Sequence, residues 1–410
     1  MTMAADKQDK VLNVPNLRFP EFNGEWVKYR VSDVLDFYST NSLSWDQLEY
    51  NTDELQNLHY GLIHVGLPTA VDMNESILPN IKKEFLPKNY ELCKNGDVAF
   101  ADASEDTNEV AKAIEFVNLS NRNVVCGLHT IHGRDNHNLT SVGFKGYAFA
   151  SESFHNQIRR IAQGTKIFSI SCKNFTECYI GIPSKEEQTK IAKLLGLIDE
   201  RISTQIRIIE DLKQLRSALI ENMYSHMPTK CKVGDAIMQV SMRNRDNTYC
   251  TVLSVNNRRK FIEQSEQFED RIVASDDTSN YKVVKRNDFA YNPARINVGS
   301  IARLTTFEDG IVSPMYICFQ AKQQILPEYL EYFFYTRYFH NEMLKRLEGS
   351  VRMCLSWDSL CNIPLTIPNI EQQRVVSRRI SILTDKIIIE EKYKEYLMIQ
   401  KHYLLKAMFI

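Results

Sequence analysis

No apolar run in this sequence approaches the ~18 residues needed to span a bilayer. Its opening stretch, MTMAADKQDKVLNV, also lacks the continuous apolar segment of a secretory leader. A cytoplasmic chain without a membrane partner is therefore expected. No Gly-Lys-Ser/Thr phosphate loop occurs, so ATP hydrolysis has no support. Of the nine cysteines, no pair has the two-residue spacing of a zinc knuckle or redox motif; Cys172 and Cys178 are separated by five residues, Cys354 and Cys361 by six. Reduced, mostly buried thiols follow. His129, His132 and His137 have a spacing that could hold a metal, but no carboxylate pattern accompanies them and the second half of the chain has no equivalent, so no metal site is expected. The one fragment near an Asn-Pro-Pro-aromatic methyltransferase motif, Tyr291 to Ala294 (YNPA), lacks the second proline and the aromatic residue, and no glycine-rich cofactor loop precedes it. It reads as a strand end. No catalytic residue and no cofactor are expected in this chain.

Strong charge of either sign is missing as well. The net charge is −1, with 13 Lys and Arg against 21 Asp and Glu in residues 1–150 and 37 against 30 in the rest. Any basic surface must be a local patch. What is present is a chain of 410 residues, 43% hydrophobic and 25% charged, which suits a soluble globular protein of two or three domains.

The sequence also repeats itself. IPSKEEQTKIAKLLGLIDERI at Ile182 returns as IPNIEQQRVVSRRISILTDKI at Ile367, 185 positions later. The same offset, without a gap, aligns Phe154 to Tyr224 with Phe339 to Phe409, matching Gly164 to Gly349 and Thr165 to Ser350. Upstream the offset drifts: NGDVAFADA at Asn95 resembles RNDFAYNPA at Arg286, and VSDV at Val31 resembles VGDA at Val233. The chain is thus a tandem duplication in which each unit has a variable front module and a constant back module.

The constant module reads as a helix of roughly 40 residues, about 60 Å long. Ser184 is the expected N-cap, with Glu187 closing a capping box. Apolar residues recur in heptad register at Ile191, Leu195, Ile198, Ile202, Ile209, Leu212 and Leu219, with Gln205 and Arg216 in the polar gaps. The copy shows Val376, Ile380, Leu383, Ile387, Leu397 and Leu404. A narrow, persistent seam of this kind is built for helix pairing. The front modules read as mixed α/β, with strands at DVAFADA from Asp97, IFSISC from Ile167, YCTVLSV from Tyr249 and DFAYNPA from Asp288. Polar loops such as HGRDNHN from His132 and MRNRDN from Met242 separate them.

The order of variable module, P…EQ…IA…L…D..I helix, second variable module and second such helix resembles the specificity subunit of type I restriction-modification systems. The opening PNLRFPEFNGEWVKYRVSDV from Pro15 is similar to that family's usual start, and the resemblance covers the whole chain. It implies an α/β (α+β) fold with two target recognition domains, residues 1–183 and 227–368. They would be joined by two long antiparallel coiled-coil helices, residues 184–226 and 369–410, in a pseudo-two-fold tandem repeat. It further implies a non-catalytic DNA-reading subunit for a bipartite target in double-stranded DNA. The partners implied are methyltransferase subunits, two of them, and restriction/motor subunits that bring S-adenosylmethionine, ATP and Mg. Candidate DNA contacts are Arg134, Lys145, Thr165 and Lys166 in the first unit and Arg243, Arg245, Arg295, Ser350 and Arg352 in the second. The competing reading is a coiled-coil protein-interaction scaffold without DNA specificity.

Overall fold

The computed structural model describes residues 13–52, 54–119, 122–225, 231–257, 259–267, 277–349 and 352–410. Ser350 lies outside them. Packing divides the chain into two units, Met1–Ile206 with Lys392–Ile410 and Arg207–Glu391. Both breaks fall inside long helices.

Each front module enters and leaves through a two-stranded antiparallel stem. In the first unit Val27–Arg30 pairs with Tyr179–Ile182, and in the second Cys231–Lys232 pairs with Pro364–Leu365. A short helix follows each entering strand, Val31–Val34 and Val233–Ala236. Its first N–H donates to a residue just before the returning strand: Val31 to the Cys178 carbonyl at 2.8 Å, Val233 to that of Ile363 at 2.9 Å. The sequence echo VSDV/VGDA is this repeated helix.

Beyond the stem, one sheet is common to both modules. In the first it runs Asp36–Tyr38, Thr130–Arg134, Val98–Ala101, Ala113–Val117, with Ala70–Asp72 added in parallel at the edge. In the second it runs Ile237–Val240, Ile317–Ala321, Phe289–Tyr291, Ile301–Arg303, with every neighbour antiparallel. The echo NGDVAFADA/RNDFAYNPA is the third strand and the turn leading into it. There Gly96 (φ +87°) and Asn287 (φ +73°) adopt left-handed backbone, while Asp97 and Asp288 accept from the N–H of Lys94 and Lys285, each at 2.8 Å. Each module adds a second four-stranded sheet, with Val124–Cys126 at one edge in the first and Lys260–Glu263 at one edge, beside Val252–Asn256, in the second. His132 to Arg134, read as loop, lie in the second strand of the first sheet.

The constant modules are continuous helices, Lys185–Ser225 and Ile370–Ala407. In the first unit Ile191, Leu195 and Ile198 share a core with Leu404, Met408 and Phe409 of the second helix and with Trp26, Phe144 and Tyr147 of the front module; Ile202 packs at its margin. Asp199 pairs with Lys401 at 2.6 Å, and Arg201 donates to the Tyr393 hydroxyl at 3.1 Å. Numbers that rise on one helix and fall on the other make the pairing antiparallel. In the second unit Lys213 pairs with Glu391 at 2.6 Å, and Met223 shares a small cavity with Val375 and Val376. Of the remaining seam positions Ile209, Ile380, Ile387 and Leu397 are buried, while Leu212, Leu219, Val376 and Leu383 are half-buried. Ile220, outside the seam as read, is buried too.

The expected capping box is half formed. Glu187 N–H donates to Ser184 Oγ at 3.3 Å, but its own carboxylate is held by Arg18 through two bonds of 2.8 and 2.7 Å and by Trp26 Nε1 at 3.3 Å. A bidentate guanidinium outcompetes a single backbone N–H for a buried carboxylate. The residue after it does more. Gln188 Nε2 donates to the Pro183 and Leu139 carbonyls at 2.9 and 3.1 Å, and its Oε1 accepts from Ser141 N–H at 2.6 Å. Gln373 repeats this with Pro368, Gln324 and Leu326 at 2.9, 2.9 and 2.7 Å. Every partner is again 185 positions on, so the rigid register begins at Leu139, ahead of Phe154. Gln188→Leu would strand three buried backbone groups, and the expected loss of stability is about 2–4 kcal/mol. Urea denaturation of the variant measures it, and an unchanged midpoint would remove this role.

Candidate nucleic-acid interface

Both units carry the same pair of converging loops. In the first, the segment after the helix Glu152–Ile161 closes on itself: Gln163 N–H donates to the Ser169 carbonyl at 2.9 Å and Ser169 N–H to that of Gln163 at 2.8 Å. Gly164 has φ +143°, and a Cβ there would lie 1.9 Å from the Ile167 carbonyl oxygen. Thr165, Lys166 and Ile167 stand exposed on this loop. Its outgoing strand, Phe168–Ser169, pairs with Ala103–Ser104, and Ile170 N–H donates to the Asp102 carbonyl at 3.1 Å. Asp102 in turn meets His129 Nδ1 at 3.1 Å.

The second unit repeats the geometry 185 residues later. Glu348 and Cys354 exchange bonds of 2.9 and 2.8 Å, Gly349 has φ +118°, and a Cβ there would sit 2.4 Å from the Arg352 carbonyl oxygen. Leu355 N–H donates to the Pro293 carbonyl at 3.1 Å, which brings the exposed Arg352 beside the turn that ends in the exposed Arg295. The turn is the YNPA fragment: Tyr291 ends its strand, and Asn292 Oδ1 accepts from Ala294 N–H at 3.1 Å. A glycine with left-handed φ is what allows the chain to fold back this tightly. Gly164→Ala should therefore cost about 1–3 kcal/mol in chemical denaturation. Gly24→Ala, at φ +83° with no atom of the described residues within 4 Å of its Cβ, is the control expected to cost less.

The other candidates fall elsewhere. Arg243 is exposed and donates to the Asn280 backbone and side-chain oxygens at 3.1 and 3.2 Å. Arg245 is exposed at a turn braced by the buried Asn244, whose amide holds both the N–H and the carbonyl of Tyr249. Arg134 is buried: its guanidinium binds Asp97 through Nε at 2.9 Å and Nη2 at 2.8 Å, reaches Glu91 at 2.6 Å, and lies 4.3 Å over the Tyr38 ring. Lys145 is buried in the helix Phe144–Phe149 and pairs with Glu115 at 3.1 Å. Burial pushes the Glu115 carboxyl up despite that lysine and two backbone N–H donors. Both cations are committed to partners inside the module.

One basic feature escaped the sequence reading. The second unit has a cleft of about 1200 Å³ in which Arg216, Lys260, Arg303 and Arg337 outnumber the acidic wall residues Glu221, Glu331 and Asp385, with Ser381 and Thr384 from the second helix. Burial would raise the Glu331 carboxyl in its wall, but Lys260 and Arg303 beside it hold it below the usual carboxylate range. Arg216 was visible in the sequence only as a gap in the apolar seam. The cleft's other basic residues, Lys260, Arg303 and Arg337, come from distant parts of the sequence, which no local pattern reports.

No family model matches the chain. Over 278 residues it is 23% identical to the type I restriction enzyme MjaVIII specificity subunit of Methanocaldococcus jannaschii, a match covering 60% of this chain and 63% of the relative. The aligned part thus spans less than two thirds of that relative's length. Among solved structures, the type I restriction-modification S subunit from M. genitalium aligns with a TM-score of 0.54 at 16% identity, over 97% of this chain and 99% of that one. A chain from a structural study of complex assembly and conformational transition of the type I R-M system aligns with a TM-score of 0.56 at 13% identity, over 93% and 96%. The duplicated module-and-helix architecture is that of type I S subunits. The likeness read from the two IP…EQ helices is thus met by both sequence and fold, and this chain has the specificity-subunit fold.

Proposed function

We propose that this chain is the DNA sequence-recognition subunit of a type I restriction-modification complex, non-catalytic itself, reading a bipartite target in double-stranded DNA. The observation that carries the reading is the doubling of one surface: the same glycine-closed loop beside the same strand-end turn, one in each unit, with different side chains on each. A reader of two different half-sites needs that combination of constant scaffold and variable contact groups. Lys166 with Thr165 in one unit, and Arg295 with Arg352 in the other, are the contacts proposed. Arginine pairs with guanine bidentately, and lysine or threonine with phosphate or base edges. Arg243 and Arg245 serve as further contacts of the second module, and the cleft with Arg216 and Arg337 as a phosphate-binding wall.

The long helices are proposed to hold methyltransferase subunits, which supply S-adenosylmethionine chemistry, and through them restriction/motor subunits using ATP and Mg. The second helix has a surface suited to this. In its part within the second unit Val375, Ile382 and Ile389 follow each other at seven-residue steps and are 43, 59 and 60% exposed. This outward stripe is separate from the buried seam of Ile380 and Ile387. Large apolar side chains left exposed at successive heptad positions of one helix suit a protein contact.

Coexpression with a cognate methyltransferase subunit tests the assignment. Methylome sequencing is expected to show one bipartite motif that depends on both chains, and the purified chain alone is expected to modify no DNA. Methylation that ignores this chain would leave only the scaffold reading.

A further inference from the structure

We infer that the first front module holds a thiophilic divalent cation of the zinc class between Cys93, Cys126 and His132. The two sulfurs and a ring nitrogen of the histidine all lie within 4.8 Å of one another, and all three residues are buried. The Sγ atoms are 3.6 Å apart, too far for a disulfide and close to the separation of two thiolates on a tetrahedral ion whose bonds to sulfur are about 2.3 Å. The inference is independent of the DNA-reading proposal.

The histidine makes the case beyond two neighbouring core thiols. Its Nε2 lies 2.7 Å from Asp97 Oδ2, so the carboxylate takes that N–H and the opposite nitrogen presents its lone pair. That nitrogen, Nδ1, is fully buried and has no hydrogen-bond partner among the described residues. A carboxylate fixing one imidazole nitrogen so that the other faces a metal is the usual outer arrangement of a zinc histidine. Asp97 is itself neutralised by Arg134 at 2.8 Å. The charges close: two thiol protons leave to solvent as two sulfur–metal bonds form, and the two thiolates cancel the charge of the ion. Three protein donors leave one position of a tetrahedral ion for water.

The site has a structural purpose. Cys126 ends a strand of the module's second sheet, His132 is in its first sheet, and Cys93 N–H donates to the Val124 carbonyl at 2.8 Å. An ion there ties the two sheets together. The duplication supplies an internal control. His132 lies opposite Ala99 in the first sheet, and the equivalent Ala290 lies opposite Cys318, so the second module has cysteine where the first has histidine. One ion per chain is expected.

The test uses the full chain, purified reduced and stripped of metal, titrated with cobalt(II) and then zinc(II). Expected are a sulfur-to-cobalt charge-transfer band saturating at one equivalent, its displacement by zinc, and a native mass showing one ion with two protons lost. Cys93→Ser and Cys126→Ser should abolish the band, and Cys318→Ser should keep it. Asp97→Asn should weaken binding by about tenfold or more. If the serine variants do not fold, the wild type still decides: X-ray absorption of the zinc-loaded chain should show two sulfur neighbours at about 2.3 Å and nitrogen or oxygen neighbours at about 2.0–2.1 Å. No band and no bound ion in a natively folded chain would overturn the inference. So would a reductant-sensitive mass lower by two hydrogens, which is a disulfide, or bound zinc with no sulfur neighbours in its absorption spectrum.

Discussion

Exchanging residues 231–365 for the matching segment of a relative with a different target should replace one half of the methylated sequence and leave the other half unchanged. The effect is all-or-none, because specificity between half-sites is a difference of several base contacts, each worth about 1–3 kcal/mol. The cut points are set by the fold. Cys231 and Leu365 are partners in the two-stranded stem, so a graft enters and leaves at one hydrogen-bonded pair. Each stem strand leads into its module a few residues from the same short helix, and the long helix starts beyond it at Ile370. The helix staple, Gln373 with Leu326 and Gln324, crosses the cut and has to be kept by choosing a donor with residues able to bond there. Methylome sequencing reads both half-sites at once. If both halves change together, the modules do not read independently and the assignment of one half-site to each module fails.

The repeat, the helices and the family likeness were legible because they are local or periodic. Seven-residue steps from Ile191 to Leu219, and a fixed offset of 185, need no knowledge of tertiary contacts. Gln188 and Gln373 were visible as part of a motif, yet their task was not, since Ser141 and Leu326 approach them only in the folded module. The sheet order was out of reach for the same reason. Strands of two to five residues such as Ala103–Ser104 and Thr130–Arg134 carry little alternation, and the parallel pairing of Ala70–Asp72 with Ala113–Val117 joins segments 45 positions apart. Arg134 and Lys145 show the limit most plainly. HGRDNHN is polar enough to read as loop, but its first three residues continue a strand whose buried side faces Asp97. Lys145 sits within FKGYAF, and the apolar residues around it were a sign of burial that only Glu115, 30 positions earlier, explains. The cluster of Cys93, Cys126 and His132 has no regular spacing at all, so a search by cysteine spacing passes over it.

Replacing Ile382 and Ile389 together with aspartate should abolish copurification of a methyltransferase subunit while leaving the fold intact. Both residues stand outside the buried seam, at 59 and 60% exposure, so neither charge enters the core of the chain. Surface substitutions of that kind usually change stability by about 0.5 kcal/mol or less. At an apolar interface the same two charges would lose their water without gaining partners, and a loss of about 4 kcal/mol in binding is a factor near a thousand. The contrast with the seam makes the result interpretable. Ile387→Asp, at 3% exposure, puts a charge into the buried stripe of the same helix and should lower thermal stability as well as partner binding. Two measurements therefore separate the surfaces: a melting curve of the chain alone, and affinity pull-down with the tagged methyltransferase subunit. Native melting with lost capture in the double variant identifies the stripe as the docking surface. Native melting with full capture means that the methyltransferase subunit binds elsewhere, and the exposed heptad positions Val375, Ile382 and Ile389 then need another partner to account for them.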